Sequence, residues 1–239
     1  METEGMTTIE RFQGFPRDSL RFLRGLAMHN DRGWFEERRE RYETNFLLPA
    51  QAFVVDLGRR LRRIAPGIRA EPRIDGSILR IHRDTRFSKD KSPYKDWFGF
   101  AFWVGEGRSY EHPCFFIRIG TRHMALDAGM HRFSPEQLRT YRAAVVDPVD
   151  GPELLRAVTR VARTGDLDLR EMTSSRTPAG FDRRHPNAGF LGYRGLYARR
   201  GGLPVDMILA ENVVEQCYAI FKDLAPIHRW LVRVLDDPG

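Results

Sequence analysis

Between Arg80 and Lys95 the chain reads RIHRDTRFSKDKSPYK, which sets six basic side chains against two acidic ones. Arg80, Arg83 and Arg86 recur at every third residue. Thr85, Ser88 and Tyr94 add hydroxyls, and Lys89, Lys91 and Lys95 add compact ammonium charges. This set of donors suits a phosphate or carboxylate held by charge-assisted hydrogen bonds. Asp84 and Asp90 can hold the arginines in place, and Asp84 can also take a proton. Lys91 is a second candidate base, because a lysine lowers its pKa readily when its surroundings disfavour charge. The candidate catalytic residues are therefore Asp84 and Lys91. The candidate ligand-binding residues are Arg80, His82, Arg83, Arg86, Ser88, Lys89, Lys91, Tyr94 and Lys95, with Arg118 and Asp127 added from the strands discussed below. The stretch contains no glycine, so a phosphate-cradling P-loop is excluded.

The lysines single out the same place. Of the 39 basic residues only four are lysine, at 89, 91, 95 and 222, and three of these fall within seven residues. Arginine stays charged and planar whereas lysine is a flexible point charge, so a site that needs lysine resists exchange. The segment carries +4 of a net charge of +7. A surplus of that size favours anionic partners, among them nucleic acid and phosphorylated small molecules.

Further segments join this one in a pattern. FxGFP at Phe12–Pro16, NDRGWFEERRERY at Asn30–Tyr42 and RIHRDTRFSKDKSPYK at Arg80–Lys95 together resemble the bacterial and fungal family of the domain of unknown function numbered 2461. ALDAGM at Ala125–Met130 matches more weakly, and the pattern runs on to the helix around Trp230. The resemblance covers nearly the whole chain. It implies one α+β domain in which RDxRFSKDKxPYK is the defining feature, and it implies no particular activity.

The elements that must position these residues follow from periodicity. The chain has 239 residues, 41% of them hydrophobic and 11% aromatic. That is enough to bury roughly 70% of the unfolded surface in one core, so a single domain over 9–235 is expected, with flexible ends at 1–8 and 236–239. No apolar run approaches the roughly 20 residues of a membrane span. Without a secretory signal, and with only Cys114 and Cys217, the chain reads as cytoplasmic and reduced. Pro16 opens a helix with Leu20, Phe22, Leu23 and Leu26 inward. Asn30 and Asp31 cap the next, lined by Phe35, Tyr42 and Phe46, and Pro49 starts a third with Phe53, Leu57, Leu61 and Ile64. Strand-like runs follow at Ser77–Arg83, Trp97–Val104, Cys114–Ile119 and His123–Met130. Their close succession favours antiparallel pairing. Ser134, Pro135 and Gln137 form a capping box, Pro152 opens another helix, and residues 164–203 read as a long loop with a short helix near Pro186–Tyr193. Two helices end the chain, Met207–Leu224 and Pro226–Leu235. The fold class is α+β, a central antiparallel sheet of about four to six strands with helices at both ends of the chain.

Alternation sorts the sheet into two faces. Phe98, Phe100, Phe102, Phe115, Ile117, Ile119, Met124, Leu126 and Met130 make one that needs helices over it. The other carries Trp97, Gly99, Ala101, Trp103, Cys114, Phe116, Arg118, Ala125, Asp127, Gly129 and His131, and from the first strand either Arg80 and His82 or Leu79, Ile81 and Arg83, the former pair being favoured. Its small residues leave room above the sheet, and Arg118 with Asp127 forms a charged pair there.

Other constellations are weaker. His82 and Asp84 with His112, His123 or His131 have the residue types of an iron site, but three arginines around them repel a dication, so no metal and no cofactor are expected. Glu111–His112 reads as a surface turn beside Pro113, and Cys114 as a core thiol. GxSxG, HExxH and CxxC patterns are absent. Three functions stay open. The first is a protein, enzymatic or not, that binds a small anionic or phosphorylated ligand at Arg80–Lys95. The second is a nucleic-acid-binding module that adds Arg59–Arg63, the arginines of 183–200, Trp97 and Trp103. The third is an interaction scaffold in which the segment is an internal ion-pair network. The sequence leaves the oligomeric state open.

Overall fold

The computed structural model describes residues 12–164, 170–172 and 177–236. The N-terminal residues 1–8 and the last three, expected to be flexible, lie outside this set. Helices α1 (Arg17–Met28), α2 (Arg32–Glu36), α3 (Arg39–Tyr42) and α4 (Leu48–Leu61) come first, with a π-helical turn at Glu43–Leu47 leading into α4. Strands β1 (Phe98–Trp103), β2 (Cys114–Ile119) and β3 (His123–Met130) follow as a meander. Then come α5 (Pro135–Val146), α6 (Asp150–Ala162), β4 (Arg170–Met172), β5 (Tyr193–Pro204) and α7 (Val213–Asp236). The sheet is antiparallel at every pairing, in the order β1-β2-β3-β5-β4. This is the α+β architecture expected, within the expected strand number.

The sorting of faces holds. Phe98, Phe100, Phe102, Phe115, Ile117, Ile119, Met124, Leu126 and Met130 are all buried. Helices from both ends of the chain cover them. Phe46 stacks on Phe98 at 3.5 Å and Phe53 meets Phe100 edge-on at 5.0 Å. From the other end of the chain, Phe221 and His228 of α7 lie 5.0 and 4.2 Å from Phe115. The helix signals also hold: Asp31 Oδ1 accepts from the Trp34 amide at 2.9 Å, and Ser134 and Gln137 exchange both hydrogen bonds of the capping box.

Three expectations need correction. Ser77–Arg83 is not a regular strand, because it serves two partners in turn. Residues 77–79 seal the outer edge of β1, with Leu79 N–H donating to Gly99 and Ala101 N–H to Ser77. Residues 81–83 then pair with the chain's own return: Lys95 N–H reaches Ile81 O at 2.8 Å and Arg83 N–H reaches Pro93 O at 2.9 Å. Second, the region 164–203 read as loop contains β4 and all but the last residue of the 12-residue strand β5. Gly195, which resembles a loop marker in sequence, is there because a Cβ would sit 2.1 Å from the His131 carbonyl oxygen. Third, the final helices are one helix, preceded by a 3₁₀ turn at Val205–Leu209. Proline in a helix interior costs about 3 kcal/mol. Leu224, Ala225, Ile227 and Leu231 around Pro226 are fully buried, and that burial holds the helix together across it.

Among the described residues no helix is long and apolar enough to cross a membrane. Cys114 and Cys217 are buried thiols, and burial pushes each pKa up to about 12.

His228 supplies a test of the core. Burial, with Arg229 adding to it, pushes its pKa down to about 3, so the native state holds it neutral. The unfolded chain takes up a proton below its ordinary value of about 6.5. Stability is therefore intact above that pH and falls as the pH drops from about 6.5 toward 3, by up to about 1.4 kcal/mol per unit. Urea midpoints at pH 7.5 and 5 should show this loss in the native protein and much less of it in His228→Phe. Equal losses in both would place the acid sensitivity elsewhere.

Candidate functional site

The Arg80–Lys95 segment is a short arm whose two strands are joined by the pairing of 81–83 with 93–95. Its loop is neutralised largely from within. Arg86 grips Asp84 with two side-chain hydrogen bonds, at 3.0 and 2.7 Å, and donates a third from its backbone. These push the Asp84 carboxyl down to about 2. Arg83 pairs with Asp90 and reaches Ser88 Oγ at 3.4 Å, and Ser92 bonds the other Asp90 oxygen through its hydroxyl and amide. Ser92 and Arg83 together hold Asp90 well below the usual carboxylate range. Lys91 Nζ donates to the Thr85 carbonyl at 2.9 Å, across the base of the loop. Phe87 stands at the tip, 96% exposed.

The root of the arm docks on the N-terminal helices. Asn30 closes two hydrogen bonds with the backbone of Tyr94, accepting its N–H and donating to its carbonyl, both at 3.0 Å. The Tyr94 ring stacks on Phe35 at 4.4 Å, and His82 lies 5.0 Å from Tyr94 and 6.1 Å from Phe35. The two longest motifs of the sequence, 64 residues apart along the chain, thus form one joint. Charged groups gather on it. Glu36 is bound by Arg39 at 2.9 and 2.6 Å. Burial, then Arg39 and Arg80, and to a smaller extent Arg32, lower the His82 pKa, against an opposing pull from Glu36. Burial and Glu36 hold the Tyr94 phenol above its ordinary value, so it keeps its proton and can donate. Arg32, Arg80 and Lys89 form no ion pair among the described residues.

Lys95 links the joint to the open face of the sheet. Its Nζ donates to the Arg80 carbonyl at 2.6 Å and lies 5.0 Å from the Trp97 ring, which Arg118 also overlies at 4.7 Å. Burial, with Arg80, lowers its pKa. The space expected over Gly99 is occupied: a Cβ there would meet the Trp97 ring at 2.6 Å and Leu79 at 3.2 Å. Leu79, rather than Arg80 or His82, therefore faces this side of the sheet from the 77–83 segment. The expected Arg118–Asp127 pair is not formed either. Asp127, 1% exposed, lies directly across from Arg199 of β5, which binds it through two bonds at 2.6 and 2.7 Å, and His131 Nε2 is 3.2 Å away. Burial acts to raise its pKa, but Arg199 and His131 outweigh it and the pKa is lowered. The sequence offers Arg199 only among the arginines of 183–200 and not as the partner of Asp127, because the residues around it read as loop.

The remaining candidates scatter. Among the described residues no group of three or more His, Cys, Asp or Glu is placed to share a metal ion. Arg59 is tied to Asp56 and Arg60 to Glu215 beside a cleft of about 440 Å³. A second cleft, of about 640 Å³, opens at the start of α5. No residue of Arg80–Lys95 lines either one.

Comparison with known proteins agrees on extent. A family described as conserved hypothetical protein (DUF2461) matches residues 18–230. No curated protein matches the chain.

The joint makes a measurable demand. Asn30→Ala leaves a partly buried N–H and C=O of Tyr94 without partners, and two such groups cost about 2–3 kcal/mol. Chemical denaturation should show that loss, whereas a change under about 0.5 kcal/mol would mean that water replaces the amide and the joint is not built on it.

Proposed function

We propose, for a chain that belongs to the DUF2461 family of conserved hypothetical proteins, that it binds a small anionic or phosphorylated ligand where the Arg80–Lys95 arm meets α2. The observation that carries this is the set of arginines at the joint: Arg32, Arg39 and Arg80 all act on His82, and of these Arg32 and Arg80 form no ion pair among the described residues. A positive field of this kind attracts an anion. The Tyr94 hydroxyl and the neutral His82 ring offer directed hydrogen bonds, and the guanidinium groups of Arg32 and Arg80, without an ion pair among the described residues, offer charge.

The motif divides its labour under this reading. Arg83, Arg86, Asp84, Asp90, Ser88 and Lys91 hold the loop in shape, while Arg80, His82, Tyr94 and Lys95 face the ligand together with Arg32 and Arg39. The internal pairs also fit a scaffold, but a scaffold needs no unneutralised arginines. A nucleic-acid partner has Trp97, flanked by Lys95 and Arg118, in its favour. Against it, Trp103 is buried and Arg59 and Arg60 are already bonded to acids.

Thermal shifts with inorganic phosphate, sugar phosphates and short single-stranded oligonucleotides, at low and moderate salt, test the reading. A phosphate-bearing small molecule should stabilise the protein at both salts. Arg32→Ala and Arg80→Ala should melt as the native protein does without ligand, and each should weaken binding about tenfold. A shift that survives in both variants would overturn the site. Oligonucleotide shifts that vanish with salt would transfer the function to nucleic acid.

A further inference from the structure

The 640 Å³ cleft at the start of α5 is built differently from the 440 Å³ one, where Arg59 and Arg60 stand among Asp56, Glu211 and Glu215. Many arginines elsewhere meet acids: Arg41 with Asp18, Arg39 with Glu36, Arg60 with Glu215, Arg233 with Asp150 and Glu153. This cleft is lined by Arg132, Arg142 and Arg194, and no carboxylate lines it. None of the three makes an ion pair among the described residues. Arg142 is held by one hydrogen bond, from Nε to the Leu191 carbonyl at 3.2 Å, which leaves the rest of its fork to the cleft.

Three separate stretches bring these charges together. Arg132 follows the end of β3 and Arg194 lies at the start of β5, where Phe133 N–H donates to the Arg194 carbonyl at 2.8 Å. Arg142 comes from α5, one turn after Leu138, so the two share a face of that helix. Leu138 and Pro135, with the buried Phe133 beside them, supply an apolar wall. The volume exceeds what a bare ion needs and lies within the roughly 300–1,000 Å³ of small-molecule sites.

We infer that this cleft binds an organic anion, a carboxylate or phosphate head carried on an apolar body. The head pairs with Arg132, Arg142 and Arg194, whose planar forks match both groups, and the body lies along Leu138 and Pro135. Three cations gathered without a counter-charge repel one another, and an anionic head relieves that repulsion on binding. The site shares no residue with the arm at Arg80–Lys95 and stands or falls independently of it.

Phenyl phosphate and benzoate are the probes, followed by calorimetry and by amide NMR shifts. Inorganic phosphate tests the head alone and benzyl alcohol the body alone. At least one of the two probes should bind saturably, more tightly than either fragment, and move the amides around Arg132, Leu138 and Arg194. Which probe binds tighter tells a phosphate site from a carboxylate site. Arg132→Glu/Arg194→Glu, both exposed, should lower affinity by about tenfold or more, with the single alanine variants intermediate. Arg21→Ala, an exposed position on α1, should leave it unchanged. Absence of saturable binding, equal binding of benzyl alcohol, undiminished affinity in the double variant, or amide shifts confined to the Arg80–Lys95 arm would each overturn the inference.

Discussion

Phe98, Phe100, Phe102 and Phe115 stand four rings on one side of two adjacent strands, and that side has to be removed from water. Each aromatic ring buries on the order of 150–250 Å², more than any single helix of this chain can cover across the sheet. The N-terminal helices close over Phe98 and Phe100 and the last helix over Phe115. With all this cover on one side, polar and charged groups collect on the other, where Arg118, Asp127 and Arg199 are found. The position of α2 against the arm follows from the same packing, since Phe35 and Tyr42 belong to the aromatic cluster that reaches Phe98.

Charge density and available charge are different quantities in this protein. The arm is the most basic stretch of the sequence, yet Asp84 and Asp90 each satisfy an arginine within it. A bound carboxylate lowers the potential a ligand would feel, so the loop's tip is less cationic than its composition. Cations without an ion pair among the described residues include Arg32 and Arg80 at the root, near His82, and the three arginines of the far cleft, which arrive singly from distant parts of the chain.

Legibility followed locality. The capping box at Ser134 and the cap at Asp31 involve residues three apart, and both were readable because their partners are fixed by helix geometry. The face of the sheet that meets the helices was readable because alternation needs no knowledge of neighbours. Leu79 and His82 were misplaced because the 77–83 segment changes partner midway, which no periodicity reports. The partner of Asp127 was missed because Arg199 sits in a run of glycines and arginines whose strand character comes from packing against β3. The arginine cleft was invisible for the same reason: Arg132, Arg142 and Arg194 carry no shared motif, and only the fold makes them neighbours. Pro226 reads as a breaker by its own chemistry, and the burial on both sides of it overrides that.

The strand order also decides when the molecule can become itself. β1, β2 and β3 are joined by short connections, so their ladder closes small loops and costs little chain entropy. β5 must instead find β3 across a separation of 72 residues, that between Asp127 and Arg199. Until it docks, Asp127 has no guanidinium beside it and remains hydrated, and the edge of β3 stands open. Non-local pairing of this kind is the slow part of assembly. Chain entropy thus favours closure of the meander over the β3–β5 pairing, and the carboxylate buried on that face gains its guanidinium only when the more distant strand pairs with it.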